Sequence, residues 1–264
     1  MANKINLNDD YIKKIKLFFE SHENHIDNKK LFKDFTIQSI HDAYEFQNKF
    51  NEFQLIKYGY PVGYKIGLTS KKMQKLCGVN QPNYGVIFKK RINNDLEVYK
   101  EDFKNLGIES ELCLKISKNI GLEVKVTKNN IIDYIEYIAP AFELIDDFNT
   151  SYPINILSLI AENSWNKGVI IGKKNKVFPT NLSKTKSILY KNNKILDSSY
   201  GNEVLGHPFN PAIWLINKLK ERRVFIKKGT IILTGSWTKT VFPKKGDNFK
   251  FTIDKLGSVN ILIN

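Results

Sequence analysis

Cysteine is nearly absent from this chain. Cys77 and Cys113 are the only two in 264 residues. Two thiols cannot build a disulfide framework, and neither stands in a metal-type Cys-x-x-Cys. No stretch approaches the ~20 apolar residues needed to span a bilayer, so no membrane role is expected. Met1-Ala2-Asn3-Lys4 lacks the apolar core of a secretory signal, and the expected location is the cytoplasm. Arginine is scarce as well: Arg91, Arg222 and Arg223 are the only three among 41 basic residues. The net charge of +14 invites a nucleic-acid partner. Phosphate clamps and base readers lean on arginine, however, and the lysines here are scattered without a long block. The pattern reads as a solvated, lysine-rich surface, with no nucleic-acid partner expected.

What is present is a core. Hydrophobic residues make up 42% and aromatics 12%. No composition break, linker or repeat interrupts the chain, and one continuous domain over 1–264 is expected. Its first part, 1–60, reads as helical, and 61–264 as β-rich. Asn8-Asp9-Asp10 can cap a first helix with Ile12, Ile15 and Phe19 on one stripe. Ser21 to Lys30 reads as a loop. Thr36 can cap a second helix carrying Ile40, Ala43, Tyr44 and Phe50. Pro61–Leu68 reads as a strand with Lys65 facing away from Tyr64 and Ile66. Residues 89–106 read as irregular. Asn130 can cap a helix over Ile131–Ile138, ended by Pro140. Asn192-Asn193 suits a hairpin turn, and Asn210-Pro211 a helix start. Everything after Gly229 reads as strand.

One strand carries chemistry. In Gly107–Ile116, Glu109 and Glu111 sit two residues apart in a run that alternates polar and apolar. Alternate side chains of a strand share a face, which puts both carboxylates on one side, roughly 7 Å apart at Cα. Oxygen ligands that close suit Mg²⁺ or Mn²⁺. Taken alone, the spacing favours the plainer reading of a half-solvated edge strand. Glu143 shifts the balance. It is a lone carboxylate inside the apolar strand Ala141-Phe142-Glu143-Leu144-Ile145, where an unpaired charge is costly.

Several stretches together resemble one family. Gly63-Tyr64-Lys65-Ile66-Gly67-Leu68-Thr69-Ser70 looks like its Gly-(Trp/Tyr)-Lys-x-Gly-x-Thr-Ser motif. Gln81-Pro82-Asn83-Tyr84-Gly85 is similar to its Pro-Asp-(Tyr/Phe)-Gly turn. Glu109-x-Glu111 and Pro140-Ala141-Phe142-Glu143 look like its metal-ligand strands. Gly206-His207-Pro208, Ala212-Ile213-Trp214-Leu215 and Leu256-Gly257-Ser258-Val259 also match. The family is that of the 2-keto-4-pentenoate hydratases (2-hydroxypenta-2,4-dienoate hydratases) and the related 4-oxalocrotonate decarboxylases, in the fumarylacetoacetate hydrolase-like superfamily. The likeness runs from about Ala43 to the C-terminus.

The resemblance implies an α+β fold, a mixed β-sandwich or roll with flanking helices, assembled as a homo-oligomer. A complex with a related decarboxylase or aldolase would fit the same family. It implies Mg²⁺ or Mn²⁺ held by Glu109, Glu111 and Glu143, and a small 2-oxo or 2-hydroxy-dienoic acid as substrate. Lys65 and Asn83 would be catalytic, and Asn163, Ser164, Trp165 and His207 would bind substrate. A bound divalent cation would act as a Lewis acid on the enolate of a 2-oxo acid. A metal and other positive groups nearby can lower the pKa of a lysine such as Lys65, which would help it act as a base. Three positions depart from the family pattern: Asn83 replaces an Asp, Trp165 replaces a small hydroxyl residue, and Gly107-Ile108 replaces a basic position. Four activities follow as expectations. The first is hydration of a 2-hydroxy-2,4-dienoate. The second is decarboxylation of an oxalocrotonate-type diacid, with Lys167 or Lys239 for its second carboxylate. The third is acylpyruvate hydrolysis using His41 and Glu45. The fourth is a metal-binding structural partner of an active paralogue.

Overall fold

The computed structural model describes residues 9–26, 35, 37–93, 96–147 and 154–264. Among the described residues, two helices come first. Helix α1 spans Asp9–Glu23, with two aspartates in its first turn where the helix dipole favours them. Helix α2 spans Ile40–Tyr58 and opens on a capping box, in which Ser39 accepts from Asp42 N–H and the Asp42 carboxylate accepts from Ser39 N–H. Thr36 lies outside the described residues, and the N-cap is Ser39. Edge-on contacts among Phe18, Phe35, Phe46 and Phe50 lock the two helices together. The helix also runs further than its polar sequence suggests. Ser21 and His22, expected in a loop, are buried in the last turn of α1, where the Ser21 hydroxyl donates to Phe18 O.

Among the described residues, twelve strands follow, with three α-helices between them. Strand β1 is Pro61–Gly67, then come helix α3 (Lys71–Leu76), β2 (Asn83–Phe88), β3 (Ile92–Asn93), β4 (Glu97–Val98), β5 (Leu106–Ile116) and β6 (Ile135–Asp146). Helix α4 (Ile156–Ala161), β7 (Asn166–Ile171), β8 (Lys186–Lys191), β9 (Lys194–Tyr200) and helix α5 (Phe209–Glu221) come next, then β10 (Ile231–Ser236), β11 (Asn248–Ile253) and β12 (Gly257–Ile263). They form a seven-stranded sheet in the order β2-β1-β10-β5-β6-β7-β3 and a five-stranded sheet in the order β4-β12-β11-β8-β9. Each mixes parallel and antiparallel pairs: β1 runs parallel to β10 and β12 parallel to β4, while β5 runs antiparallel to both its neighbours. The sheets meet through side chains such as Phe142 and Phe251, whose ring centroids are 6.2 Å apart. This is the α+β architecture that the motifs implied. Among the described residues, no helix is long and apolar enough to cross a membrane.

Four local expectations need correction. The segment Ile131–Ile138 is not a helix: a single 3-10 turn covers Ile131–Tyr134, and β6 begins at Ile135. Ile, Tyr and Ile suit a pleated surface buried on both faces, and the sheet overrides the helical spacing. Pro140 therefore sits inside β6, opposite Leu112. Its carbonyl accepts from Gly172 N–H just past the end of β7, and having no N–H it cannot return that bond. Second, β5 is no edge strand. It lies between β10 and β6. Third, α5 starts at Phe209 rather than on an Asn210 cap; the Asn210 amide donates to Leu205 O. Fourth, the stretch 89–106 contains β3 and β4. The Asn192-Asn193 hairpin forms as expected, both residues taking positive φ, which a two-residue turn between twisted strands requires.

Candidate metal centre and cavity

The pleat sorts β5 by chemistry. Ile108, Leu112, Leu114 and Ile116 enter the core between the sheets, while Glu109, Glu111 and Cys113 take the other face. Antiparallel pairing with β6 then sets Glu109 directly opposite Glu143. Like charges in that position destabilise a sheet unless something lies between them. Carboxylate oxygens of Glu109, Glu111 and Glu143 lie within 4.8 Å of one another. Glu111 and Glu143 are fully buried, at 0% exposure, and Glu109 is half-buried.

Each carboxylate is held by a different element. Thr240 Oγ1 donates to Glu109 Oε1 at 2.6 Å. The Gly235 amide donates to Glu111 Oε2 at 2.7 Å. Asn166 Nδ2 donates to Glu143 Oε1 at 2.8 Å. The Lys65 ammonium lies 3.2 Å from Glu143 Oε2 and donates to Ser164 O at 3.0 Å. Glu111 Oε1 and Glu143 Oε2 are buried and accept no well-aligned hydrogen bond. Three carboxylates against one ammonium leave two negative charges, which a divalent cation cancels. The donor set is all oxygen, as Mg²⁺, Mn²⁺ or Ca²⁺ requires. Glu109, Glu111 and Glu143 therefore fit a divalent cation.

The electrostatics carry the same strain. Burial, reinforced by Glu143 and Glu109, pushes the Glu111 carboxyl well above its usual range. Burial raises Glu143 to about 7 against the pull of Lys65, with Glu109 adding to the rise. Burial also works to lower the Lys65 pKa, but Glu143, Glu109 and Glu111 outweigh it and hold the ammonium above its ordinary value. The three nearby carboxylates thus decide the direction.

Above this cluster opens a cavity of about 610 Å³, whose wall includes Lys65, Asn83, Glu109, Ser164, Trp165 and Lys239. A second cavity of about 630 Å³, beside Lys90, Arg91 and Tyr99, contains none of the carboxylates. Ser164 and Trp165 sit on a strained turn in which Asn163, Ser164 and Trp165 all have positive φ. Three contacts over-determine it. Asn163 exchanges two hydrogen bonds with the Val86 backbone, Asn83 Nδ2 donates to Ser164 Oγ at 2.9 Å, and Lys65 holds Ser164 O. Asn83 fits because Gly67 has no side chain: a Cβ there would fall 2.5 Å from Asn83 Oδ1.

The cavity gathers Lys65, Asn83, Ser164 and Trp165 but leaves other expected residues outside. Asn163 faces β2 rather than the cavity. His207 is absent from the wall; its Nδ1 accepts from Phe209 N–H at the start of α5. Lys167 approaches Glu23, while Lys239 reaches the cavity. Glu45 pairs with Arg222, and His41 lines a separate cavity of about 280 Å³. Sequence reasoning missed Thr240, Asn166 and the Gly235 amide. Nothing in their local pattern marks them, because each meets its carboxylate only through strand pairing.

No protein-family model matches the chain. It is 32% identical over 235 residues to 2-oxo-hept-4-ene-1,7-dioate hydratase from Escherichia coli, covering 86% of this chain and 88% of that protein. The chain belongs to the 2-keto-4-pentenoate hydratase family. A second relative, 2-keto-4-pentenoate hydratase 1 of Dechloromonas aromatica, is 29% identical over 204 residues, covering 76% of this chain and 77% of that one. The 4-oxalocrotonate decarboxylase of Pseudomonas putida G7, solved with magnesium and adipate, superimposes with a TM-score of 0.91 at 26% identity, over 99% of this chain and 100% of that one. The family is one of hydro-lyases in its named members.

Proposed function

We propose that this chain is a divalent-metal-dependent hydratase. It adds water to a 2-hydroxy-2,4-dienoate and yields a 4-hydroxy-2-oxo acid. The observation that carries the reading is the convergence of Glu109, Glu111 and Glu143, with the buried Glu111 Oε1 left open, beneath a cavity that Lys65 enters. Glu109, Glu111 and Glu143 would hold Mg²⁺ or Mn²⁺. A bound cation of this kind supplies Lewis acidity to the carboxylate and 2-oxygen of a 2-oxo acid.

The remaining chemistry falls to the chain. Lys65 keeps a proton at Nζ and presents it beside the carboxylates, where it can serve the substrate oxyanion or shuttle a proton. Asn83 spends its amide on Ser164 and leaves Oδ1 as a buried acceptor without a partner among the described residues. That oxygen can orient a water but cannot take its proton at neutral pH. Trp165 walls the cavity with an apolar face and limits free water. Proton donation and oxyanion binding are therefore assigned to Lys65, and the positioning of water to Asn83.

The test is ultraviolet absorbance of freshly generated 2-hydroxypenta-2,4-dienoate with protein and Mg²⁺ or Mn²⁺, with and without chelator. Metal-dependent loss of the dienol, with 4-hydroxy-2-oxopentanoate identified as product, is expected. Persistence of the dienol with metal bound would exclude this substrate. One observation favours a second reading. Lys239 lines the same cavity, which offers a cation for the far carboxylate of a diacid. Release of CO₂ from an oxalocrotonate-type diacid, without hydration of the monoacid dienol, would select the decarboxylase.

A further inference from the structure

Glu109 differs from its two companions. Glu111 and Glu143 are fully buried among their donors, whereas Glu109 stands at the cavity wall. A half-exposed glutamate has three side-chain torsions to order and water to compete for its oxygens. Something must aim it before a cation arrives. Its partner is the Thr240 hydroxyl at 2.6 Å, the length of a charge-assisted O–H···O⁻ bond.

Thr240 is itself held from three directions. The chain leaving β10 folds back along β5: Trp237 N–H donates to Ser110 O at 2.7 Å, and Ile108 and Val241 exchange both backbone hydrogen bonds at 2.8 and 3.0 Å. On the far side, Lys239 N–H donates to Asp197 Oδ2 on β9 at 3.2 Å. The side chain is fixed by packing. A Cβ at Gly107 would lie 3.2 Å from Thr240 Cγ2 and 2.7 Å from Ile145 Cγ1. The Thr240 methyl group thus packs against the space that Gly107 leaves open. A β-branched side chain has few χ1 choices, so seating the methyl also directs the hydroxyl.

We propose that Thr240 is the positioning residue of the metal centre: it presets Glu109 toward Glu111 and Glu143, and Gly107 is the space that lets it do so. The inference rests on the metal-site reading above and adds a residue that no motif marks. Hydrogen-bond partners of metal ligands typically contribute 10–100-fold to metal affinity.

The experiment is Mn²⁺ titration followed by the electron paramagnetic resonance of free Mn²⁺, with thermal unfolding of each metal-free variant alongside. Thr240→Val keeps the shape and removes the donor; Thr240→Ala is a second variant without the hydroxyl. Both are expected to weaken Mn²⁺ binding about 10–100-fold, while Thr240→Ser, which keeps the donor but not the methyl that directs it, restores binding only in part. Gly107→Ala is expected to weaken binding in the same direction, because its methyl displaces that of Thr240. A purely structural role would lower the unfolding temperature and leave Mn²⁺ affinity unchanged, and that result would overturn the proposal. Wild-type affinity in a folded Thr240→Val would do the same. Failure of the wild type to bind Mn²⁺ would remove the metal-site reading itself, which separates the two failures.

Discussion

Glu109 and Glu143 face each other across a β-ladder, with the Lys65 ammonium 3.2 Å from Glu143 Oε2. Replacing either carboxylate by an amide keeps the shape and removes one ligand charge. Glu109→Gln and Glu143→Gln are each expected to abolish Mn²⁺ binding by calorimetric titration, and unchanged affinity in either would sink the assignment. Lys65 makes a different prediction. Its ammonium touches Glu143 from the cavity side, so Lys65→Ala should still bind Mn²⁺ while turnover of the dienol falls roughly 10²–10⁴-fold. A wild-type rate would remove Lys65 from the mechanism. Lys65, Glu109, Glu111 and Glu143 were legible as candidates because strand period and an out-of-place charge are visible in a sequence. Thr240 and Asn166 were not, since a lone Thr or Asn has many ordinary uses.

At the scale of elements, the turn between α4 and β7 decides the cavity's shape. Three consecutive residues with positive φ cost free energy that only tertiary contacts can offset. Asn163 supplies the strongest clamp, since its carboxamide pairs with both backbone groups of Val86. Asn163→Ala would leave those groups without their partner at a cost of about 1–3 kcal/mol each where they are buried. Reduced thermal stability and loss of turnover are expected, with Mn²⁺ affinity retained, because the carboxylates stand on β5 and β6. If turnover survives at full rate, the turn is not needed for catalysis. This segment reads in sequence as a polar loop of possible substrate ligands. Asn163 turned instead toward β2, because the edge of that strand offered a paired donor and acceptor.

For the molecule as a whole, buried charges beneath α1 set a pH window. Glu23 is held down at about 2: burial opposes this, but Lys167, Lys57, Tyr58 and Arg91 outweigh it. Its folded pKa lies below its ordinary 4.5, so its stabilisation is present above that value and is lost as pH falls toward 2. Glu162 has the opposite sign. Burial, then Asp146 and Asp147, raise it to about 8. The folded state binds that proton more tightly, so stability declines as pH rises from 4.5 through about 8. Glu162→Gln should therefore raise the unfolding temperature relative to wild type at about pH 9, and the gap should shrink as pH falls and close near pH 4. An equal difference at both pH values would show that Glu162 is not titrating in that range.

The sequence by itself determined the strand that carries two carboxylates, the third carboxylate, the lysine between two glycines and the family to which they point. These features are local: period two, turn chemistry, and a charge where apolar residues surround it. Tertiary structure alone decided the rest. It turned Ile135–Ile138 into strand because β5 offered pairing that a short helix could not match. It placed β5 inside the sheet and buried two of the three carboxylates. It also chose Thr240, Asn166 and Gly235 as the donors that hold the carboxylates. Contacts between residues far apart in the chain depend on register, and no single segment encodes its register with another.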